Sequence, residues 1–547
     1  MAAPLKDRSE FRVMLVYPNL YMMLVPSLAM AIFTRLMKEQ GYQVELFETT
    51  HYMKEEGSSP RNRVKFAQAR DFDYERDLGN KVGTGNMFAD FRQRVLEFKP
   101  DILLVSVVED VFLQAVGLLE AIEDLKIPHL TGGVFATAAG ELCLEYQVVQ
   151  RIGRGEGERI VVEFAERARL GKPLDDIPGT WWRDADGTVH KNVNPPLIDV
   201  NGVRPDFSLF ETSRFYRPMG GRVFKTVPVE TYRGCPYACS FCNSPMQRDI
   251  AKGEGVGNFL RRKTIGYLHE ELRDLIDRND PEFIYFIDDS FLARPKREIL
   301  DFCSMYEKFG LPFWFNTRPE NCHADVMKRL KEVGCYRISF GIECGNEEYR
   351  KNVLLRNPTN IDIIEQFGII AASGIAFSVN LIIGFPGETR ELVMDTVELV
   401  RSISGFDTLT VSIFTPYHGT KLRAVAVRNG WLDSETITKH TTSHSLLRMP
   451  KPHLDVEEID GLEAVLPLYC YFPKSEWDQI RRAETPDEEG LKVRERYQEI
   501  YRRNFLGENQ DGAKVLIGGT GCRSNPKDSF RVSPKRLTKE ELSTLTA

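Results

Sequence analysis

The sequence lacks any apolar run long enough to cross a membrane, and it lacks an excess of positive charge. The longest apolar stretch, Leu20 to Phe33, is too short for a membrane span and contains Pro26. The first residues, Met1 to Arg8, are polar and do not form a secretory signal. The formal net charge of −7 over 547 residues argues against a nucleic-acid-binding face. We therefore expect a cytoplasmic protein with no membrane span and no nucleic-acid partner.

A disulfide framework is also missing, although the chain contains ten cysteines. Seven of them are scattered, a pattern typical of buried free thiols in a reducing compartment. These seven are Cys143, Cys303, Cys322, Cys335, Cys344, Cys470 and Cys522. The other three, Cys235, Cys239 and Cys242, stand close together with the spacing CxxxCxxC.

The three neighbouring cysteines lie on one short loop, from Thr231 to Asn243, in which Gly234 and Pro236 turn the chain. Three thiolates on such a loop can ligate three irons of a [4Fe–4S] cluster and leave the fourth iron open for catalysis. Zinc sites usually consist of two paired Cys or His units, and no second pair lies nearby in the sequence. The spacing therefore favours an iron–sulfur cluster over a zinc knuckle.

With the aromatic Phe241 before its last cysteine, this loop resembles the signature of the radical S-adenosylmethionine (SAM) enzymes. The resemblance implies that Cys235, Cys239 and Cys242 hold a [4Fe–4S] cluster, which binds SAM and reduces it to a 5′-deoxyadenosyl radical. It further implies a small-molecule substrate, whose identity stays open, and a reductant such as flavodoxin or ferredoxin.

The N-terminal third alternates short apolar runs with helical patterns, which predicts a doubly wound parallel sheet. Ligands of such sheets bind at the carboxyl ends of the strands. Small or polar residues fall at these ends, and we take them as candidate cofactor contacts. They are Pro18, Asn19, Ser106, Gly132, Gly133, Thr137, Gly155, Glu156 and Gly157.

This arrangement resembles the cobalamin-binding domain that precedes the radical core in one large branch of the family. The Asp-x-His-x-x-Gly motif that supplies a histidine to cobalt is missing, because His51 lacks both flanking residues and His129 follows Ile127 in place of aspartate. The resemblance therefore implies cobalamin without a protein histidine ligand. Glu109 and Asp110 are the ionisable side chains of a segment expected to face the cobalt. A flavodoxin-like domain without a cofactor, or with a phosphate ligand at its glycines, stays open.

From Val223 to about Leu422, six strand–helix repeats predict an open, partial (β/α)6 barrel whose chemistry lies at the strand ends. The resemblance assigns SAM contacts to these ends. We expect carboxylates to accept the SAM ammonium group, an arginine to pair with its carboxylate, and main chain to lie near its adenine. The candidates are Phe241, Asp288, Asp289, Arg318, Glu343 and Gly384.

We expect an α/β protein of four parts. Residues 1–170 form the cobalamin-binding, Rossmann-like domain, 171–222 a linker with a hairpin, and 223–425 the radical SAM core. Residues 426–547 form a mainly helical C-terminal region with a polar tail. Only Cys470 and Cys522 lie in this last part, which is too few for an extra cluster, and we expect it to close the barrel or shape the substrate pocket. The segment Lys514 to Cys522 lacks a Walker motif and is expected to be a plain turn.

The resemblance implies a cobalamin-dependent radical SAM methyltransferase that acts on an unactivated carbon or phosphorus centre. A ring cyclase or rearrangement enzyme with both cofactors, like the anaerobic tetrapyrrole cyclases, stays open. So does a non-catalytic cobalamin sensor. A methylthiotransferase is disfavoured, because that branch needs three more N-terminal cysteines and only Cys143 lies upstream.

Overall fold

The structure is a computed structural model that describes residues 6–21, 23–52, 59–70, 85–219, 222–439, 444–506 and 545. The predicted turn at Lys514 to Cys522 lies outside these residues. Among the described residues, no helix has both the length and the apolar character needed to cross a bilayer.

The first sheet has seven strands in the order β2-β1-β3-β4-β5-β6-β7. The first five are parallel, and the last two are antiparallel to their neighbours. Their bounds are β1 Arg12–Tyr17, β2 Gln43–Glu48, β3 Ile102–Ser106, β4 His129–Gly132, β5 Arg151–Gly153, β6 Thr180–Arg183 and β7 Val189–Lys191. The four central residues of β1 are all buried, as expected for a parallel strand covered on both faces.

The helices of this part pack on both sides of the sheet, giving the predicted doubly wound arrangement. They are α1 Leu28–Glu39, α2 Ser59–Lys65, α3 Met87–Phe98, α4 Phe112–Glu120, α5 Val134–Ala138, α6 Gly140–Glu145 and α7 Gly157–Arg169. Helix α1 begins at Ser27, whose side chain accepts a hydrogen bond from the main chain of Met30. The hairpin predicted in the linker forms as β6 and β7, and it extends the first sheet because β6 pairs with the free edge of β5.

The second sheet has the order β16-β15-β14-β13-β12-β9-β8. Six of its strands, from β9 to β16, are parallel and follow the chain order, whereas β8 runs antiparallel to β9. The bounds are β8 Tyr216–Met219, β9 Arg222–Val229, β12 Phe283–Phe286, β13 Phe313–Thr317, β14 Cys335–Glu343, β15 Ala376–Ile383 and β16 Thr408–Ile413. A separate small pair consists of β10 Tyr232–Arg233 and β11 Arg261–Arg262. The predicted α/β class and partial barrel are thereby confirmed.

Helices follow the barrel strands and cover their outer face. They are α8 Ser244–Gly253, α9 Ile265–Asn279, α10 Lys296–Tyr306, α11 Ala324–Glu332, α12 Glu347–Asn352, α13 Asn360–Ser373, α14 Arg390–Arg401 and α15 Lys421–Arg428. Helix α13 begins at Thr359, which forms a capping box with Asp362. The C-terminal region is helical as predicted, with α16 Val456–Tyr471, α17 Trp477–Arg482 and α18 Glu488–Tyr501.

The segment after α2 connects the open edge of the barrel to the C-terminal region. The Gln68 side chain accepts a hydrogen bond from the N–H of Val411 in β16 at 2.9 Å. It also donates to the carbonyl of Glu463 in α16 at 3.1 Å. Residues 59–70 therefore lie beside the last strand and under α16, on the side where a partial barrel is open.

Candidate active site between the two sheets

The three clustered cysteines lie on the loop that follows β9, which we call the cysteine loop (Thr231 to Asn243). Their side chains are partly exposed, whereas the other six described cysteines are buried. Gly234 turns this loop with a φ of 92°, and a Cβ there would lie 2.8 Å from the carbonyl oxygen of Phe259. The loop is thus shaped to present thiols rather than to bury them.

Asp288 anchors the start of the cysteine loop. Its carboxylate accepts the N–H of Thr231 at 2.7 Å and that of Tyr232 at 3.1 Å, and it forms an ion pair with Arg294. Its side chain is almost completely buried, so its oxygens are occupied by the protein itself. The structure therefore gives Asp288 a positioning role, in contrast to the ammonium contact expected from the sequence.

Asp289, unlike Asp288, borders the space between the two sheets. The Ser244 hydroxyl lies 3.5 Å from its Oδ2. Burial raises the pKa of Asp289, and the neighbouring carboxylates of Asp288 and Glu230 raise it further. A carboxylate in this setting is stabilised by a cation, which a ligand ammonium group would supply.

The cysteine loop suits a cluster better than a single metal ion. Within the described residues, no three His, Cys, Asp or Glu side chains converge as ligands of one ion. Zinc gathers all its ligands on one ion, whereas each thiolate of an iron–sulfur cluster binds a different iron. Burial raises the pKa of Cys235 to about 11 and that of Cys242 to about 12. The thiolates would therefore depend on bound metal for their charge balance.

Arg318, at the end of β13, lies directly beside this loop. Its Nη1 is 3.5 Å from the sulfur of Cys239, and its guanidinium is 3.8 Å from the centre of the Tyr237 ring. It also forms an ion pair with Glu320. The structure thus places the predicted arginine next to the middle cysteine, where it can meet an anionic group bound near the cluster.

Two further SAM candidates, Glu343 and Gly384, lie at the ends of β14 and β15, and a third, Phe241, lies on the cysteine loop. Glu343 has a φ of 69° and pairs with Arg356 at 3.0 Å. Gly384 has a φ of 77°, and its N–H donates to the buried carboxyl of Glu388 at 2.6 Å. Burial raises the pKa of Glu388 to about 8. The Phe241 ring packs 5.6 Å from that of Phe385, the residue after Gly384, so the cysteine loop and the end of β15 are in contact.

A cavity of about 340 Å³ separates the carboxyl ends of the two sheets, and we call it the interface cavity. From the first sheet it is lined by seven predicted cofactor residues, Ser106, Gly132, Gly133, Thr137, Gly155, Glu156 and Gly157. From the barrel it is lined by Glu230, Tyr232, Arg233, Gly234 and Asp289 among others. The predicted residues of the first sheet therefore face a space that is also bordered by the start of the cysteine loop and, among the predicted SAM residues, by Asp289.

Pro18 and Asn19 differ from the other candidates, because they make contacts within the loop region after β1 instead of lining the cavity. The Asn19 amide donates to the Thr50 hydroxyl at 2.8 Å and to the carbonyl of Met23 at 3.0 Å. Its N–H donates to the Thr49 hydroxyl at 2.8 Å, and Pro18 is buried. These residues shape the loop after β1 and leave the cavity wall to others.

The glycine turns of the first sheet form a cradle without side chains. Gly133 has a φ of 111°, and a Cβ there would lie 2.3 Å from the carbonyl oxygen of Val107. The Thr137 hydroxyl donates to the carbonyl of Gly133 at 2.9 Å and accepts the N–H of Gly155 at 3.0 Å. One threonine therefore ties together two turns that are distant in sequence, and a large ligand can approach their main chain.

Sequence reasoning missed Arg233, which joins the two domains next to the first cysteine. Its guanidinium lies 2.7 Å from Glu158, 3.0 Å from Glu230 and 3.4 Å from Glu156. The Nη1 of Arg261 donates to Glu156 at 3.0 Å as well. The predicted cofactor residue Glu156 is thus paired with cations of the barrel. The only local signal for Arg233 was its position two residues before Cys235.

A second contact between the domains involves the segment expected to face cobalt. The Glu109 carboxylate accepts the N–H of His418 at 2.8 Å and lies 2.7 Å from Nδ1 of the same residue. The Tyr417 hydroxyl donates to Asp110 at 2.9 Å. The loop after β3 is therefore held by the loop after β16, and the carboxylates of Glu109 and Asp110 are engaged in this contact.

Comparison with known proteins identifies the barrel. The sequence model of the Radical SAM superfamily matches residues 229–400. The chain is 27% identical over 386 residues to the uncharacterized methyltransferase PH0819 of Pyrococcus horikoshii, covering 69% of this chain and 79% of that protein. It is 23% identical over 435 residues to cytidylyl-2-hydroxyethylphosphonate methyltransferase of Streptomyces wedmorensis, covering 70% and 78%.

The fold is shared over nearly the whole chain with a solved structure. That structure is the radical SAM methyltransferase TsrM from Kitasatospora setae, with cobalamin and a [4Fe–4S] cluster bound. The TM-score is 0.59 at 15% identity, and the match covers 90% of this chain and 99% of TsrM. The likeness therefore includes the first sheet, the barrel and their mutual arrangement. Residues 229–400 therefore match the radical SAM superfamily, and the chain shares its fold with the cobalamin-containing TsrM.

Proposed function

We propose that this protein is a cobalamin-dependent radical SAM methyltransferase that modifies an unactivated carbon or phosphorus centre of a small molecule. The interface cavity carries the proposal, because the cysteine loop and the glycine turns border the same space. Two relatives that cover most of the chain are named methyltransferases. This favours methyl transfer over the ring cyclases and over a non-catalytic sensor.

The residues fit the cofactors that the fold implies. The three thiols of Cys235, Cys239 and Cys242 would hold the [4Fe–4S] cluster, with Asp289, Arg318, Glu343 and Gly384 around SAM. The cradle of Gly132, Gly133, Thr137 and Gly155 would receive cobalamin. We propose that cobalamin binds without a histidine ligand, because the sequence lacks the Asp-x-His-x-x-Gly motif. Together the bound groups supply radical formation and a methyl group, chemistry that side chains lack.

The protein's own residues position the reactants and exclude water. Asp288 and Arg294 fix the start of the cysteine loop, so the sulfur atoms are held before any ligand binds. Arg318 supplies a positive charge beside Cys239, and its guanidinium would pair with an anionic group of the ligand. The packed rings of Phe241 and Phe385 close one side of the site against solvent.

We also propose a cytoplasmic location and a flavodoxin or ferredoxin as electron donor. The partly exposed cysteine loop would receive the electron, and the buried free thiols elsewhere are those of a reducing compartment.

The proposal is tested with SAM labelled in its methyl group, incubated with anaerobically purified protein, a reductant and cell extract. We expect 5′-deoxyadenosine and a labelled small-molecule product. Cys239→Ala should form neither, because the cluster loses a ligand. Cys303→Ala is the control, since Cys303 is buried in the core of the barrel wall and should leave both products unchanged. Unchanged SAM cleavage in Cys239→Ala would sink the assignment, and cleavage without labelled product would point to the ring cyclases.

A further inference from the structure

Two arginines of the half barrel have buried nitrogen atoms without a hydrogen-bond partner. Arg217 belongs to β8, one edge strand of the second sheet. Arg63 belongs to α2, and Gln68, three residues after the end of this helix, binds the opposite edge strand β16. The charges of Arg63 and Arg217 are close enough to lower the pKa of Arg63, after the larger effect of burial. We call these two residues the arginine pair.

Arg217 lies on an aromatic platform on the inner face of the barrel. Its guanidinium carbon is 4.6 Å from the centre of the Trp314 ring and 4.8 Å from that of Tyr285. The two rings are stacked at 4.1 Å. The Nη1 of Arg217 is buried without a hydrogen-bond partner, and its charge has no carboxylate partner among the described residues. The aromatic faces stabilise the cation but leave its N–H donors unused.

Arg63 also has an unused donor, because its Nε is buried without a hydrogen-bond partner. Glu463 of α16 is the carboxyl that acts on it electrostatically. Burial raises the pKa of Glu463 to about 8, so this carboxyl is mostly neutral near pH 7. Among the described residues the pair thus has one carboxyl, Glu463, that acts on Arg63, and none that acts on Arg217. Burying such charges is costly unless an anion is bound there.

The inner face around the arginine pair carries polar groups up to the end of the barrel at which the cysteine loop lies. The Asn316 amide donates to the Tyr285 hydroxyl at 2.8 Å, and the Trp314 indole N–H donates to the Ser339 hydroxyl at 2.9 Å. Asn316 stands two residues before Arg318, which lies beside Cys239. A ligand held at the pair therefore has a polar wall leading from its anionic end towards the cysteine loop.

We propose that the arginine pair binds an anionic group of the methyl acceptor, a carboxylate or a phosphoryl group, and so selects acidic small molecules as substrates. The assignment of an acceptor rests on the proposed function. Two planar guanidinium groups offer the paired N–H donors that match the oxygens of either group. Binding such a group would satisfy the unused donors and neutralise the repulsion between the two cations.

The first test measures anion binding without catalysis. Thermal unfolding of the full-length protein is followed with inorganic phosphate or acetate, against chloride at equal ionic strength. The variants are Arg217→Met and Arg63→Met, with Arg297→Met as control because that side chain is 91% exposed. We expect a saturable rise in Tm for the wild type and the control, and at least about tenfold weaker binding in both pair variants.

Without anions, Arg217→Met should be at least as stable as the wild type, since an uncompensated buried charge is removed. A purely structural arginine predicts the opposite, a lower Tm with an unchanged response to phosphate, and that result would overturn the proposal. So would the absence of a saturable rise in the wild type, or an equal rise in all four proteins.

The second test determines whether the arginine pair binds the anionic group of the methyl acceptor or only free anions. Cell extract is incubated with methyl-labelled SAM, and the labelled product is passed over an anion-exchange resin. Retention of the product, with labelling reduced about tenfold in Arg217→Met, supports an acidic acceptor. A labelled product that flows through the resin rejects it. A complete lack of labelled product counts against the proposed function, while the thermal measurements still decide whether the pair binds anions.

Discussion

At the scale of single residues, the neighbours Gly132 and Gly133 differ in whether the structure has room for a side chain. Gly133→Ala would place a methyl group 2.3 Å from the carbonyl of Val107, at a φ of 111°. We expect it to lower the free energy of unfolding by about 2–3 kcal/mol and to weaken corrinoid binding. At Gly132 the nearest atom to a Cβ is the Gly153 carbonyl at 3.6 Å, an ordinary contact.

Gly132→Ala is therefore the matched control for fold and the sharper probe of the cradle. It should unfold at the same denaturant concentration as the wild type, while it adds a methyl group to a residue that lines the interface cavity. Denaturant titration and the absorbance change on adding hydroxocobalamin measure the two properties. Equal stability of the two variants would contradict the strain assigned to Gly133.

Asp288 and Asp289 are adjacent, but replacing each by asparagine should affect a different property of the protein. Asp288→Asn removes the charge that Arg294 pairs with, and leaves that buried cation uncompensated. We expect a loss of about 3 kcal/mol in stability and a lower iron content, because the cysteine loop loses its anchor. Asp289→Asn should keep both but bind SAM about tenfold more weakly. Thermal unfolding, iron analysis and SAM titration check this, and identical behaviour of the two variants would be inconsistent with it.

The sequence could locate these residues but could not separate their roles. The spacing of the cysteines and the order of strand ends placed Asp288, Asp289 and Arg318 in one region. Which of two adjacent carboxylates faces the cavity depends on where β12 ends, and that boundary is uncertain by more than one residue from sequence alone. Arg233 was missed because its partners Glu156 and Glu158 are far away along the chain, and ion pairs between domains leave no local pattern.

At the scale of elements, the loop after β3 and the loop after β16 form a contact that depends on pH. Burial, with the nearby charge of Glu109, raises the pKa of Asp110 to about 6 although the Tyr417 hydroxyl bonds to it. A carboxyl with a raised pKa stabilises the fold at low pH, and this contribution is lost as pH rises through about 6. Burial acts to raise the pKa of Glu109, but its interactions with His418 and its hydrogen bond from the Thr438 main chain together lower it, so that residue has the opposite trend.

Asp110→Asn keeps an oxygen that accepts the Tyr417 hydroxyl but cannot ionise. We expect the variant to gain about 2 kcal/mol over the wild type near pH 7, and the gain to vanish near pH 4. Unfolding of both proteins across this range is the measurement, and the contribution of Glu109 cancels in the comparison. A gain that does not change with pH would mean that Asp110 is not the titrating group.

The elements themselves were well predicted because each is amphipathic or bounded by clear turn signals. Strand β3, Ile102–Ser106, lies in the part predicted to alternate strands and helices, and helix α16, Val456–Tyr471, lies in the part predicted to be helical. The hairpin predicted in the linker forms where Asp-Gly separates two apolar runs. The pairing of this hairpin with β5 was not predicted, because the pairing of edge strands depends on tertiary neighbours rather than on a local sequence pattern. The division into four parts stays our proposal, with this hairpin joined in the structure to the first sheet.

At the scale of the whole molecule, Arg233 connects the cofactor cradle to the cysteine loop. Its side chain is 18% exposed, and its carboxylate partners Glu158 and Glu230 come from different domains. Arg233→Gln should destabilise the interface by about 3 kcal/mol, because the carboxylates are left without their cation. Hydrogen exchange should then accelerate together at residues 155–158 and 231–243, on both sides of the interface.

A suitable control is Arg273→Gln, which breaks the ion pair with Glu270 at a side chain that is 59% exposed. Exposed pairs contribute little, so exchange near the interface should stay at the wild-type rate. Faster exchange on only one side of the interface in Arg233→Gln would show that the arginine stabilises its own loop and does not couple the domains.

The half barrel differs from a closed barrel in having two free edges. In this chain β8 runs antiparallel along β9 at one edge, and Gln68 accepts the N–H of Val411 at the other. Unpaired main-chain groups at a sheet edge are a template on which a strand of another molecule can assemble. The hydrogen bond from Val411 to Gln68 therefore also protects the β16 edge from pairing with a strand of another copy.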